Sequence, residues 1–363
     1  MRLFARAFRF AFGPDVDRPL RPVLAVAFVG STAASTAWGY LGIWAKTRLG
    51  ATDAELGATF LCGALLSGLV GFLGGRLSDH IGRRPLILAG YGINVVMLIG
   101  FVLVGRNLVA GLIVAALVPA LGSIGGAADQ AMVADLVPPE RHEAGYAATR
   151  VASNLGVTLG PLIGGLLLVT NLWPAFFLGA AALSAAAAIV AWRYLPRSGA
   201  YAPDEPPSRG SFAVIRRDRP FLLFLGSSSL ASMTYVAYEV LLPISLVTSH
   251  GLPKWVWGML VVINPAFVAS LQVRLTRWTA DVLPTLKLGV AMPMMGVPFL
   301  LLPVTGAIPV VLVVIVVFVF GEMLWIPTSQ AVVASFAPAD IRGAYMGAFG
   351  SSWAIAWALG PVL

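Results

Sequence analysis

Long apolar runs are the feature of this sequence that most constrains its fold. The 363-residue chain is 58% hydrophobic and 11% charged, and its apolar residues form continuous stretches separated by short polar segments. A membrane-spanning helix needs about 20 apolar residues, whereas a strand of a membrane β-barrel shows about ten residues of alternating polarity. The pattern therefore predicts an all-α integral membrane protein rather than a soluble domain or a barrel.

The apolar runs predict eleven membrane spans, and the positions of the basic residues predict their orientation. With a cytoplasmic N-terminus, all of the 24 Lys and Arg residues except Lys46, Arg48, Arg106 and Lys254 belong to the cytoplasmic side. Because basic loops remain cytoplasmic, this bias predicts a multi-pass protein of the inner or plasma membrane. The predicted spans are 22–45, 55–75, 85–104, 108–137, 144–170, 174–194, 220–248, 255–273, 286–304, 308–337 and 343–363.

The net charge of +8 raises the question of an acidic partner. The basic residues are spread over the loops between spans and form no aromatic-rich basic domain. Anionic lipid headgroups therefore explain the charge better than nucleic acid does. We expect the lipid bilayer as a partner and no nucleic acid.

The two halves of the sequence repeat one another. "QAMVADLVPPE" from Gln130 returns as "QAVVASFAPAD" from Gln330, and "LGP" at 159–161 returns at 359–361. The repeat predicts an N-terminal six-helix bundle (1–195), a cytoplasmic linker (196–219) and a C-terminal bundle of about five spans (220–363). A short surface helix is predicted around Phe212–Arg217. A further span follows the first "LGP", so the repeat also predicts that part of span eleven and all of span twelve are missing.

The loop after span two, "GRLSDHIGRRP", concentrates charges in an otherwise apolar chain. Gly75 allows span two to approach a neighbouring helix closely, and Gly82 permits a tight turn. Arg83 and Arg84 hold the loop in the cytoplasm. Asp79 is not needed for that, which indicates a second role.

Span five carries "NLGVTLGPLIGG", in which small residues recur at intervals of four. Such spacing gives a flat helix face for close packing, and the proline within it permits a bend. The residues concerned are Gly156, Gly160, Pro161, Gly164 and Gly165.

These two motifs resemble motif A (Gly75–Ile87) and motif C (Gly156–Gly165) of the major facilitator superfamily, in its multidrug/proton antiporter branch. The resemblance implies two six-helix bundles related by pseudo-twofold symmetry. It also implies a charge network of Asp79, Arg83 and Asp135 that meets the N-terminus of span eleven near Gly343. The alternatives are that these charges only set topology and that the small residues only pack. Val118 stands where proton-coupled members often have an arginine in span four, so that motif is lacking.

Four ionisable residues lie deep in predicted spans, where each costs about 2.5 kcal/mol or more on insertion scales. Asp129 and Arg150 lie at equal depth on consecutive spans and could form a structural ion pair or part of a proton relay. Glu239 and Glu322 lie near the middle of spans seven and ten, where a desolvated carboxyl can bind and release a proton. The alternative is that either acid is kept neutral or paired within packed helices. We expect all four to serve proton coupling or the substrate pathway.

A mixed aromatic and polar cavity is predicted near the middle of the membrane. Thr32, Thr36 and Tyr40 recur at intervals of four in span one. The other predicted lining residues are Asn154, Tyr235, Tyr238, Asn264 and Gln330. A threonine can instead bond to its own helix backbone, so a purely structural role is the alternative.

The sequence therefore predicts a secondary active transporter that exports small amphipathic compounds in exchange for protons by alternating access. It contains no catalytic, metal-binding or nucleotide-binding motif, so no enzyme activity, metal or cofactor is expected. A monomer is expected. An importer of a small metabolite is one alternative, and a non-transporting membrane receptor or scaffold is the other.

Overall fold

The computed structural model describes residue 12 and residues 16–169, 172–202, 211–303 and 305–359. Every regular element within these ranges is helical. In chain order the α-helices are α1 (Arg21–Trp44), α2 (Asp53–Ile81), α3 (Arg83–Val104), α4 (Leu108–Gly122), α5 (Gly126–Leu136), α6 (His142–Leu167), α7 (Trp173–Tyr194), α8 (Ser211–Arg217), α9 (Arg219–Val236), α10 (Leu242–Thr248), α11 (Lys254–Leu260), α12 (Ile263–Trp278), α13 (Pro284–Gly296), α14 (Ile308–Phe336) and α15 (Arg342–Leu359).

Each predicted span corresponds to one helix or to two consecutive helices. Span four is interrupted by a 3-10 turn at Ser123–Gly125, and span seven by a π-helical turn at Ala237–Leu241. Span eight consists of α11 and α12 and runs to Trp278, beyond its predicted end at residue 273. The predicted surface helix is present as α8. The end of the predicted span eleven, residues 360–363, lies outside the described residues.

Length and apolar composition alone qualify eight segments of the described chain to cross a membrane. The other predicted spans, α6, α11 with α12, and α15, do not meet that criterion. These helices carry buried polar side chains, among them Arg150, Asn264 and Arg342. Their polar groups face protein rather than lipid, which is why hydropathy undervalues them.

The N-terminal half (α1–α7) and the C-terminal half (α9–α15) are connected by the segment that contains α8, and they meet along two seams. In the first seam α2 packs along α15, and in the second α6 packs against α12 and α14. A hydrophobic core cluster on one face of the molecule contains residues of both halves, including Leu86, Val137, Phe221 and Ile341. We call this side the latch face, because α2 ends and α3 and α15 begin there.

The small residues of α6 pack against α1. Side chains at Gly156, Gly160 and Gly164 would overlap α1, because an added Cβ would lie only 2.6–2.9 Å from backbone atoms of Thr32 or Thr36. Only glycine allows two helices to approach so closely. The motif C-like face is therefore a helix-packing surface within the N-terminal half.

The same seam corrects part of the predicted cavity lining. Thr32 and Thr36 are buried against α6, and both hydroxyls donate to the carbonyl four residues earlier, at 2.7 Å. The Tyr40 hydroxyl donates to the Pro161 carbonyl at 2.9 Å and lies close to Gly165. The prediction that these three side chains line a cavity is wrong, because the polar stripe of α1 is the surface that the glycines of α6 cover.

Replacing Gly160 with alanine tests this packing. The new methyl group would meet the Ser35 hydroxyl and the Thr32 carbonyl, so we expect the Gly160→Ala variant to lose about 1–3 kcal/mol of stability. Gly39→Ala on α1 is the matched control, because nothing lies within 4 Å of a Cβ at that position. Thermal unfolding in detergent measures both variants, and equal midpoints would contradict the close approach.

Candidate functional site

An acid on α2 caps the first turn of α15. Both carboxylate oxygens of Asp79 accept hydrogen bonds, from the backbone N–H groups of Gly343 at 2.7 Å and Ala344 at 2.9 Å. Asp79 also forms an ion pair with Arg83. A helix N-terminus carries free N–H groups and a partial positive charge, so it binds a carboxylate well. This is the contact that the motif A resemblance implies, and it joins the two halves.

Asp135 at the end of α5 binds one arginine from each half. Its Oδ2 atom accepts from Arg83 Nε at 3.0 Å, and its Oδ1 atom accepts from Arg342 at 2.5 Å. All three side chains are buried. Together with Asp79 they form a neutral group of two acids and two bases, which we call the latch.

The glycines of the loop give the latch its geometry. The backbones of α2 and α15 touch at Gly75 and Gly343, where an added Cβ on either residue would overlap the other's carbonyl oxygen. Gly82 has φ +93°, a conformation that favours glycine, and it ends α2. Arg84 donates to the Trp192 carbonyl on α7 and so takes no part in the latch.

A second ionic contact joins the halves on the latch face. Lys287 Nζ on α13 lies 2.8 Å from both carboxylate oxygens of Glu143 on α6, and the Thr328 hydroxyl on α14 donates to Glu143 at 3.1 Å. This contact was not predicted from the sequence, although an acid and a base in the first turns of two apolar helices were a visible signal. This ion pair therefore closes the second seam on the latch face, just as the latch closes the first seam.

A third pair lies deeper between the halves. Arg150 on α6 forms a buried ion pair with Glu322 on α14, and Asn264 on α12 donates to the second oxygen of Glu322 at 2.5 Å. The predicted pairing of Arg150 with Asp129 is wrong, because the arginine side chain reaches across to the C-terminal half. Both residues line the same cavity, but depth in a span does not determine the direction of a side chain around its helix.

A polar cavity of ≈ 500 Å³ lies beside this pair. Most of its wall comes from α1, α3, α4, α5 and α6, and the C-terminal half contributes residues of α9 and α14. Of the predicted residues, the cavity is lined by Asp129, Arg150, Asn154, Tyr235, Glu322 and Gln330. The lining also includes residues that the sequence analysis missed, among them Gly30, Ser31, Tyr91, Asn94 and Tyr146.

The other predicted residues lie outside the cavity wall. Tyr238 is buried in the C-terminal half, where it stacks on Phe318 with ring centroids 4.3 Å apart. Asn264 donates a hydrogen bond to Glu322 and does not line the cavity. Glu239 is half-buried in the π-helical turn, where it neighbours Tyr235. The cavity-lining prediction is therefore wrong for Tyr238 and Asn264, because both side chains turn into the helix packing of the C-terminal half.

Comparison with known proteins identifies the family. The model of the Major Facilitator Superfamily matches residues 23–361. The chain belongs to this superfamily. It is therefore a multi-pass membrane protein and a secondary transporter of small molecules, built on the major facilitator fold.

Individual relatives are distant. The chain is 22% identical to a Na(+), Li(+), K(+)/H(+) antiporter of Planococcus maritimus, over 96% of this chain and 89% of that protein. It is 26% identical to the multidrug resistance protein MdtH of Edwardsiella ictaluri, over 82% of this chain and 73% of that protein. A bacterial homologue of the iron transporter ferroportin, crystallised in an outward-facing state, shares the fold with a TM-score of 0.77 at 16% identity, covering 96% and 93% of the two chains.

Neutralising Asp79 is expected to expose the start of α15. In Asp79→Asn the amide can accept fewer hydrogen bonds and no longer carries the charge that the helix N-terminus favours. We expect faster hydrogen–deuterium exchange at Gly343 and Ala344, measured by mass spectrometry. Asp281→Asn, an exposed loop acid, is the control and should leave this exchange unchanged. Unchanged exchange in Asp79→Asn would contradict the latch.

Glu143 and Lys287 should behave as a coupled pair in a double-mutant cycle. The Lys287 side chain is only 1% exposed, so Glu143→Gln alone leaves a buried charge without its partner. Breaking a buried pair costs about 3–5 kcal/mol. We expect each of Glu143→Gln and Lys287→Met to lower the unfolding midpoint more than the double variant does. Additive effects of the two single changes would show that the pair is not coupled.

Proposed function

We propose that this protein exports small amphipathic compounds in exchange for protons by alternating access, with its N-terminus in the cytoplasm and as a monomer. The latch face would then be cytoplasmic and closed in the described state. The proposal is carried by one observation, the buried pair of Arg150 and Glu322 that joins the two halves beside the cavity. The motif C-like face and the similarity to proteins named as antiporters and as a multidrug resistance protein support the direction of transport.

The pair gives the exchange a physical basis. An ionised Glu322 attracts Arg150 across the seam and adds to the contacts that hold the latch face closed. A protonated Glu322 loses that attraction, and its neutral carboxyl can still bond to Asn264. Protonation would therefore weaken one of the contacts between the halves. Because the Glu322 carboxyl can bind either a proton or the Arg150 guanidinium, it can link proton movement to opening of the latch face.

The remaining candidate residues take secondary roles in this proposal. Asp79, Arg83, Asp135 and Arg342 act as the gate on the cytoplasmic side, since they connect the halves without touching the cavity. Glu239 neighbours Tyr235, a lining residue, and would carry protons between Glu322 and the opposite side of the membrane. The cavity volume falls within the range of about 300–1,000 Å³ that is common for small-molecule sites.

Proteoliposomes with an imposed pH gradient test the proposal. We expect proteoliposomes that contain the protein to accumulate amphipathic dyes such as Hoechst 33342 or rhodamine 6G in response to the gradient. Glu322→Gln should lose gradient-driven accumulation while keeping exchange of labelled for unlabelled dye at equal pH, because the amide still fits but cannot release a proton. Asp281→Asn is the control. Gradient-driven accumulation by Glu322→Gln at the level of the unaltered protein would exclude Glu322 from coupling, and failure of the unaltered protein to respond to the gradient would overturn the function.

A further inference from the structure

Asp129 is the one charged residue of the cavity wall, in the described part of the chain, that has no ion-pair partner. Three charged side chains line the cavity in the described part of the chain: Asp129, Arg150 and Glu322. Arg150 and Glu322 neutralise each other as an ion pair. Among the described residues, no Lys, Arg or His lies within ion-pair distance of Asp129. The cavity is therefore left with one net negative charge when Asp129 is ionised.

Two uncharged acceptors on the same wall also have no partner in the described structure. Asn94 Oδ1 on α3 and Gln130 Oε1, next to Asp129 on α5, are both buried without a hydrogen-bond donor. Tyr91 lies one helical turn before Asn94, within electrostatic range of Asp129. Buried polar atoms are satisfied in the great majority of native structures, so such a group at a cavity indicates a missing donor.

A second, mainly apolar cavity adjoins this wall, and we call it the chamber. This cavity of ≈ 270 Å³ shares Ala34, Asn94 and Gly122 with the first, and its other walls are mainly apolar side chains such as Trp38, Leu98 and Val118. At this shared wall Gly122 carries no side chain, and nothing lies within 4 Å of a Cβ built there. A ligand can thus place a polar end at Asp129 and an apolar end against Trp38.

We propose that the cavity binds an amphipathic monocation whose charged group is an N–H-bearing ammonium, with Asp129 as its counter-ion, Asn94 and Gln130 as acceptors for its protons, and its apolar end in the chamber beside Trp38. This inference rests on the proposed function and adds the substrate class. One carboxylate with neutral oxygens suits a single positive charge. Unsatisfied acceptors require a donor, so a quaternary ammonium, which has no N–H, leaves them unpaired.

Three matched ligands separate the charge from the hydrogen bonds. The probes are 2-(2-naphthyl)ethylamine, its N,N,N-trimethyl derivative and its uncharged N-acetyl derivative. Binding to the purified protein in detergent is measured by equilibrium dialysis with naphthyl fluorescence. We expect the primary amine to bind at least about tenfold more tightly than either derivative. Equal binding of the primary and quaternary amines would overturn the hydrogen-bonding role, and equal binding of the acetyl derivative would overturn the charge. Because this comparison uses the unaltered protein, it does not depend on whether a variant folds.

Variants locate the site. Asp129→Asn should remove the preference for the amine over the acetyl derivative, and Asn94→Leu should reduce the preference for the primary over the quaternary amine. Gly122→Leu should weaken naphthyl amine binding about tenfold or more by blocking the chamber. Asp281→Asn is the control and should bind all probes as the unaltered protein does. An unchanged preference in Asp129→Asn would place the cation elsewhere and overturn the proposal.

The result is distinguishable from failure of the proposed function. Amine selectivity that depends on Asp129, without any response of flux to a pH gradient, would support this site and contradict proton-coupled export. Gradient-driven export of uncharged compounds, with no amine selectivity, would support export and contradict this site.

Discussion

Charges buried where the two halves meet must find partners within the protein, and most of those partners lie on the opposite half. Asp135 binds Arg342, Glu143 binds Lys287, and Glu322 binds Arg150. Removing one partner of a buried pair costs about 3–5 kcal/mol, because the remaining charge is left without solvation. The closed latch face is therefore held by ionic contacts as well as by apolar packing, and separation of the halves requires water or a proton to replace the lost partners.

The contacts differ in how closely they approach the cavity. Asp79 and Asp135 act at the latch face, where they fix the start of α15 and the end of α5. Glu322 is also part of the cavity wall, so its protonation state bears on both the seam and whatever the cavity holds. Asp129, on the same wall, has no ionic partner in the described structure. We therefore propose different roles for the two carboxyls: proton coupling for Glu322 and substrate binding for Asp129.

Much of the fold was predictable because it follows from local sequence. The spans follow from apolar length. The network of Asp79, Arg83 and Asp135 at the start of α15 was implied by the resemblance to motif A, which did not include Arg342. The partners of Arg150 and of Thr32 were not predictable in this way. Depth in the membrane follows from the rise per residue. The partner of a side chain depends on which helix packs against the face that carries it, and the sequence alone does not specify that helix.

The repeat helps to explain why the contact between Glu143 and Lys287 was not predicted. Glu143 and Gly343 are related by the same offset of 200 residues as Gln130 and Gln330, and both lie in the first turn of a helix at a seam between the halves. At Gly343 the helix N-terminus binds the acid of the other half. At Glu143 the helix itself supplies the acid and the other half supplies Lys287. Two seams with opposite charge arrangements cannot be recognised from one motif.

In the proposed mechanism, ionised Glu322 helps to hold the latch face closed. Electron paramagnetic resonance distances between spin labels at Ile81 and Ala339, two exposed positions on that face, test it most directly after Cys62 is replaced by serine. We expect a short distance at mildly alkaline pH, and a shift toward longer distances at mildly acidic pH or in Glu322→Gln. The same short distance under all three conditions would contradict it.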